Sequence, residues 1–147
     1  MKRVALMFLL LSGLVIVSSC SKNDPPIEEL NVTVNGVDIT FNTIIVDRQT
    51  SSERYFSAII NSNTSRIITF SSNINELGDN SVQNFTYTVR GKIFRQIQNT
   101  DELIVEVSTN TNARFTMEFS GTLSAFDPET ESFETINLTD GSMDIVY

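Results

Sequence analysis

The densest group of positively charged side chains in this sequence lies in the segment 87–95. Arg90, Lys92 and Arg95 are interleaved there with Tyr87 and Phe94. Guanidinium and ammonium groups beside aromatic rings can hold an anionic ligand or a sugar, because they offer charge-assisted hydrogen bonds and a flat apolar surface. A polar strand end whose charges are solvated or paired with nearby acids has the same composition. The sequence favours this second interpretation and keeps the five residues as a candidate ligand site.

A second group of chemically capable side chains is acidic. The segment Asp127-Pro128-Glu129-Thr130-Glu131 places three carboxylates in one turn, and carboxylate oxygens are ligands for calcium. The segment lacks the twelve-residue loop with glycine at its sixth position that many calcium sites use. The sequence therefore predicts an ordinary solvated hairpin loop and no metal site.

The residue types that the chain lacks exclude most catalytic chemistry. There is no histidine, and Cys20 is the only cysteine. Ser-His-Asp and Cys-His arrangements, the common zinc and iron–sulfur ligand sets and an intramolecular disulfide are therefore excluded. Two carboxylates can hydrolyse a glycosidic bond, but the chain has no tryptophan to hold a sugar. We expect a protein that is not an enzyme and has no cofactor, with a carboxylate-based glycoside hydrolase as the weakest alternative.

The first twenty residues have the pattern of an export signal. Lys2 and Arg3 precede an apolar run from Val4 to Val17, and Val17-Ser18-Ser19-Cys20 ends it. A basic start, a short apolar core and small residues before a cleavage point are typical of a secretory signal, and spanning a bilayer takes roughly 20 apolar residues. The end of the run resembles the lipobox of bacterial lipoproteins. That resemblance implies a signal peptide at 1–19 and acylation of Cys20, which would anchor the chain to a membrane.

Cleavage would leave residues 20–147 with an acidic composition. Without Lys2 and Arg3, 8 of the 10 basic residues face 18 acidic ones, a net side-chain charge of −10. This charge repels nucleic acid and anionic lipid, so we expect no nucleic-acid partner and a membrane contact made by the acyl chains alone. Residues 20–29, with two prolines, are predicted to form a tether that reaches about 30 Å when extended. We expect a single domain at 30–147.

The domain begins with a strongly specified hairpin. Alternating apolar and polar residues surround Asn35-Gly36, the kind of pair that most favours a type I′ turn because both of its residues need a positive φ. The predicted register pairs Val34 with Val37, Val32 with Ile39 and Leu30 with Phe41. Turn and alternation therefore put all the apolar side chains on one face.

The same alternation predicts two more hairpins in the second half of the chain. Asp140-Gly141 predicts another type I′ turn, and a loop at 110–112 predicts the third hairpin. The predicted pairs are Leu138 with Met143, Ile136 with Ile145, Val107 with Phe115, Val105 with Met117 and Leu103 with Phe119. The strand that starts near Arg114 is predicted to be long, to bend at Gly121 and to pair first with 103–109 and then with 132–139.

Further strands are predicted at 54–61, 66–72 and 83–90, the last with a possible extension to Phe94. About eight or nine strands joined as hairpins make an all-β antiparallel meander, which avoids exposed edges by curling up or by forming two layers. We expect a lipocalin-like barrel or half-barrel, because one strand is long and bent. The alternative is a β-sandwich of the immunoglobulin type, whose crossings the tight turns do not favour.

Three segments carry a resemblance to a known group. They are Cys20 with the Ser-Lys-Asn-Asp-Pro-Pro that follows it, the turn Val34-Asn35-Gly36-Val37, and the C-terminal run from Phe119 to Asp144. They resemble small lipoproteins of unknown function from Bacteroidetes-type bacteria that have a C-terminal all-β, calycin-like domain. Leu123 and Met143 stand where that group more often has an aromatic residue. The resemblance implies a fold and a location, and no activity.

These observations lead to an expectation about location and role. Ser21 after the cysteine resembles lipoproteins sorted to the bacterial outer membrane, with the periplasmic or surface face left open. We expect an exported, lipid-anchored β-domain that binds a small molecule, a glycan or an envelope protein, or builds an envelope assembly. The alternative is a lipocalin-like carrier of a small apolar ligand, which needs a lined cavity of at least ~300 Å³.

Overall fold

The structure, a computed structural model, describes residues 28–61 and 63–147. The predicted signal peptide, the predicted acylation site Cys20 and the tether up to residue 27 lie outside the described residues. In the part of the chain that the structure describes, no helix is long and apolar enough to cross a membrane.

The described residues form ten β-strands and no α-helix, which confirms the all-β prediction. The strands are β1 (Glu29–Val34), β2 (Val37–Phe41), β3 (Thr43–Arg48), β4 (Glu53–Ile60), β5 (Asn63–Asn73), β6 (Val82–Val89), β7 (Lys92–Phe94), β8 (Leu103–Asn110), β9 (Arg114–Asp127) and β10 (Ser132–Val146). The sequence had not predicted β3. It had treated β6 and β7 as one segment, whereas Arg90 and Gly91 both have positive φ and form a turn between them.

The strands form two antiparallel five-stranded sheets, with the orders β2-β1-β10-β9-β8 and β3-β4-β5-β6-β7. Over the described residues these sheets do not close into a barrel, so the closed-barrel form of the preferred prediction is wrong, and the two sheets are consistent with the β-sandwich alternative. The reason lies at β7, which has three residues. Beyond it the sheets meet through the isolated bridge between Arg95 and Ser124, which is too short to continue a ladder.

Aromatic side chains fill the space between the two sheets. The ring of Phe115 on β9 lies 4.6 Å from that of Phe56 on β4, measured between ring centroids. Phe119 lies 5.1 Å from Phe85 in the same way, and Phe56 stacks on Phe70 at 4.6 Å. The contacts made by Phe115 and Phe119 join sheets that share no continuous ladder, so the two layers are held together mainly by apolar packing.

The first hairpin has the predicted geometry. Asn35 and Gly36 have φ of 49° and 79°, as a type I′ turn requires. The register Val34–Val37, Val32–Ile39 and Leu30–Phe41 is confirmed. The turn also contacts β10, because the Asn35 N–H donates to the Asn137 carbonyl at 2.9 Å and the Asn137 N–H donates to Asn35 Oδ1 at 2.8 Å.

The predicted hairpin at Asp140-Gly141 is wrong, because β10 continues through both residues. Asp140 has φ of 52°, whereas Gly141 does not have the positive φ that a type I′ turn needs. Asp140 instead belongs to a bulge: Thr139 and Asp140 face Ser120 of β9, where a regular strand would present one residue. Gly141 then lies against the ring of Phe119, which a Cβ atom would approach to 2.6 Å.

The long strand is confirmed as β9, with Gly121 at φ 142° where the bend was predicted. The predicted register with β8 is wrong by two residues, since Val107 pairs with Met117 and Val105 with Phe119. The shift begins at the turn, because Asn110, predicted to lie in the loop, already pairs with Phe115. A second bulge, between Val107 and Thr109, changes the register by one residue and turns Asn110 inward. Inside, the Asn110 amide donates to the carbonyl of Asn73 at 2.7 Å.

Candidate functional site

Two of the five predicted ligand residues belong to the core. Tyr87 and Phe94 pair across β6 and β7, and their side chains are 3% and 1% exposed. Their ring centroids are 6.3 Å apart. Burial raises the pKa of the Tyr87 hydroxyl, an effect that the nearby charge of Arg66 reduces. The two aromatic residues that suggested a ligand site beside the cations are therefore core residues of β6 and β7.

Lys92 is paired with acids, as the structural interpretation of the cluster predicted. Its Nζ lies 2.8 Å from Glu134 Oε2 and 3.3 Å from Asp127 Oδ2. The hydrogen bond to Glu134, followed in size by the one to Asp127, raises the pKa of the Lys92 ammonium. This side chain therefore ties β7 to both strands of the β9–β10 hairpin and is held in one orientation.

The neighbouring guanidinium groups are not paired in this way. Among the described residues, Arg66, Arg90 and Arg95 form no ion pair within 4.0 Å. The N–H of Arg90 donates to the Ser65 carbonyl at 2.9 Å, which brings the turn at Arg90 beside Arg66. Arg95 is fixed through its backbone, which exchanges two hydrogen bonds with Ser124 at 3.0 and 2.9 Å. Arg66 was not among the predicted site residues.

Two surface depressions meet at Lys92. One, of about 560 Å³, is lined by Arg95, Ile93 and Phe126 among others. The other, of about 480 Å³, is lined by Arg66, Arg90 and Glu134 among others. Lys92 borders both. The cations are therefore spread along a strip and do not converge on one point.

Exposed apolar side chains continue this surface. Phe126 and Phe133 are 51% and 49% exposed, and Ile93 is 54% exposed. The two phenylalanines pair across β9 and β10 with ring centroids 5.3 Å apart. These two phenylalanines were not among the predicted site residues. Leu123 and Ala125 point inward, so alternation along the strand places the next residue, Phe126, on the solvent side. We call this surface the cationic tip: Arg66, Arg90, Lys92, Ile93, Arg95, Phe126 and Phe133.

The cationic tip lies at one end of the longest hairpin, and the described chain begins at the other. Glu29 pairs with Asp144 near the far end of β10, and Asp144 pairs with Thr116 of β9. Asp127, which contacts Lys92, lies at the opposite end of β9. At ~3.3 Å per residue, Thr116 and Asp127 are about 35 Å apart along the strand.

The acidic turn at 127–131 is part of the tip's support. The N–H of Glu129 donates to Asp127 Oδ1 at 3.0 Å. This bond and the contact with Lys92 lower the pKa of the Asp127 carboxyl. Within the ranges that the structure describes, no group of three acidic, histidine or cysteine side chains could hold a metal ion.

Another depression, of about 440 Å³, lies on the outer face of the β2-β1-β10-β9-β8 sheet and is lined by Glu106, Glu118 and Asp140. Glu106 and Glu118 stand directly opposite each other on β8 and β9, and both are exposed. Like charges in this position repel each other in water. The arrangement is an acidic strip on an open sheet face.

A buried polar cluster lies at the end of the two sheets opposite the tip. Arg54 is 1% exposed, and its guanidinium donates to the Thr111 carbonyl at 2.8 Å and to Asn112 Oδ1 at 3.1 Å. The same group lies 4.4 Å from the centre of the Tyr147 ring. These contacts join β4 of one sheet to the β8–β9 turn of the other, which is a structural role.

Comparison with protein families, with curated proteins and with solved structures finds no match to this chain. The role of the cationic tip therefore rests on its own geometry and charge.

Proposed function

We propose that this chain is an exported, lipid-anchored binding module of the bacterial envelope, and that it contacts its partner through the cationic tip. The observation that carries the proposal is the position of the tip, at the end of β9 and β10 far from Glu29, where the described chain begins. An anchor on Cys20 and a tether ending at residue 29 would present the tip away from the membrane. The resemblance to Bacteroidetes-type lipoproteins and Ser21 support an outer-membrane location.

The packing of the core supports a binding surface in preference to an internal ligand. The rings of Phe56, Phe70 and Phe115 lie within 5.8 Å of one another between the sheets, where a carrier would need space. A non-enzymatic role is likewise proposed, since the tip's polar groups are cations and their acidic partners.

Replacing the cysteine tests the anchor. Cys20→Ser should abolish the incorporation of labelled fatty acid and allow a high-salt wash, which weakens charge-based binding, to release the chain from the membrane. Ser18→Ala keeps a small residue at that position and should leave both unchanged. Fatty-acid labelling of the Cys20→Ser chain would overturn the anchor.

Replacing the exposed rings tests the tip. The released Cys20→Ser chain should bind isolated cell envelopes saturably, and adding Phe126→Ser with Phe133→Ser should weaken that binding at least tenfold. Ile104→Ser removes an apolar side chain of similar exposure (57%) on β8 and should have no effect. Equal losses in both variants, or no saturable binding, would contradict the proposed role.

A further inference from the structure

Building on the proposed function, we propose that the partner of the cationic tip is an anionic polysaccharide, whose sugar rings carry carboxylate or phosphate groups. The tip combines unpaired guanidinium groups, fixed acids and exposed rings along one strip. Each of these elements matches a different part of such a chain.

The distribution of charge selects an anion. Arg66, Arg90, Lys92 and Arg95 are half of the 8 basic residues in 20–147, against a net side-chain charge of −10. The three arginines make no ion pair among the described residues, so their guanidinium groups are available for bidentate contacts with carboxylate or phosphate. The acidic remainder of the domain repels the same ligand and thus confines it to the tip.

The shape of the surface favours an extended ligand over a single ion. The two depressions on either side of Lys92 measure about 560 and 480 Å³, the first lined by Arg95 and the second by Arg66 and Arg90. A small anion would occupy one of them, whereas a chain with spaced charges would use both. Asp127 and Glu134 contact Lys92, which borders both depressions, and their carboxylates can accept hydrogen bonds from sugar hydroxyl groups.

Apolar contacts favour a sugar. Phe126 and Ile93 line the same depression as Arg95. The exposed ring of Phe126 offers a flat face on which the C–H groups of a sugar ring can pack.

An acidic peptide fits less well. A peptide would gain most by adding a strand to a sheet edge, but β7 offers three residues. The residue that follows it, Arg95, already uses its backbone on Ser124.

Binding of polygalacturonate to the acylated full chain in neutral detergent micelles tests the proposal. Isothermal titration should show saturable binding that weakens as salt is raised. Arg95→Gln and Phe126→Ala should each lower the affinity about tenfold. Arg48→Gln removes the same charge from an exposed arginine on β3, near Tyr147, and should change the affinity less than twofold. A phosphorylated mannan in place of polygalacturonate distinguishes the two sources of charge.

The inference would be overturned by no binding of either anionic polymer, by binding of neutral dextran with the same affinity, or by an equal loss in Arg48→Gln and Arg95→Gln. If the tip variants still lose binding to cell envelopes in that case, the proposed binding role stands and the ligand is of another class. An acidic peptide such as polyglutamate, bound more tightly than polygalacturonate, would also overturn it.

Discussion

At the scale of single residues, Gly36 shows how one backbone angle fixes a register. Its φ is 79°, and a Cβ atom placed there would meet nothing within 4 Å. A substitution at this position therefore acts through the backbone conformation and not through a clash. The three pairs of the β1–β2 register all depend on this turn.

Gly36→Val should lower the free energy of unfolding by about 1 kcal/mol or more, because a β-branched residue resists positive φ. Gly36→Asn should lose less, since asparagine tolerates that region. Urea denaturation of the three proteins measures both values. Equal stability of Gly36→Val and the parent chain would contradict the strained turn.

The carboxyl of Asp144 should make stability depend on acid. Arg114 Nε donates to it at 2.8 Å, and this bond, against a smaller opposing effect of burial, lowers its pKa in the folded state. A lowered folded-state pKa stabilises the fold above the ordinary value of ~3.9, and the contribution is lost as the pH falls through the lowered pKa.

The stability difference between the parent chain and Asp144→Asn should accordingly be constant from pH 5 to pH 8 and shrink below about pH 4. Taking the difference removes the general effect of neutralising the other acids. Urea denaturation across this range measures it. A difference that grows on acidification would show that the Arg114–Asp144 pair does not stabilise the fold.

At the scale of elements, the bulge of β10 and the ring of Phe119 form one packing unit. A Cβ atom on Gly141 would lie 2.6 Å from three atoms of that ring, so the ring occupies the space that a side chain would need. Covering of a strand glycine by an aromatic ring of the neighbouring strand is a known way to stabilise such positions.

Gly141→Ala should therefore destabilise the domain by about 1–3 kcal/mol, the usual cost of overpacking. Phe119→Ala should also destabilise it, but the double variant should lose clearly less than the sum of the two, because the alanine methyl then has room. Chemical denaturation of the four chains completes this double-mutant cycle. Additive losses would mean that the ring and the glycine are not coupled.

The Asn-Gly pair and the Asp-Gly pair show which features of a strand a local sequence pattern can predict. Both pairs correctly indicate a residue with positive φ, at Asn35 and at Asp140. Whether that residue makes a turn or a bulge depends on the flanking strands. β10 has β1 on one side and β9 on the other, and two partners keep it extended. This information is not local, and the same holds for the bulge that turns Asn110 inward.

At the scale of the whole molecule, Arg54 connects the two sheets at the end away from the tip. Its hydrogen bonds reach Thr111, Asn112 and Tyr147, whose hydroxyl lies at 3.2 Å. Burial raises the pKa of the Tyr147 hydroxyl. The sequence held no signal for this cluster, because its members are far apart along the chain.

Arg54→Met keeps much of the apolar stem but leaves its buried partners without a donor, and it should cost about 3 kcal/mol of unfolding free energy. Arg48→Met, at the exposed residue that pairs with Arg54, should cost little. Thermal and urea denaturation measure both. An Arg54→Met chain as stable as the parent would mean that the cost of burying the guanidinium offsets its contacts.

The candidate site was also predicted only in part, because some of its members are far apart along the chain. The cations were identified because charges at 90, 92 and 95 lie together in the sequence. Arg66 and Phe133 join them only through the pairing of β5 with β6 and of β9 with β10. The closed barrel was wrongly predicted because alternation along a strand shows which residues share a face of a sheet. It does not show how two sheets pack against each other.

In its sheet, β1 lies between β2, its neighbour along the chain, and β10, the last strand. Asn35 and Asn137, which are hydrogen-bonded, are 102 positions apart, and such distant pairings form slowly. β1, the strand nearest the predicted anchor, therefore cannot complete its pairing until β10 has been synthesised. A copy cut short before residue 132 would leave one backbone edge of β1 open, ready to pair with a neighbouring molecule and begin an aggregate.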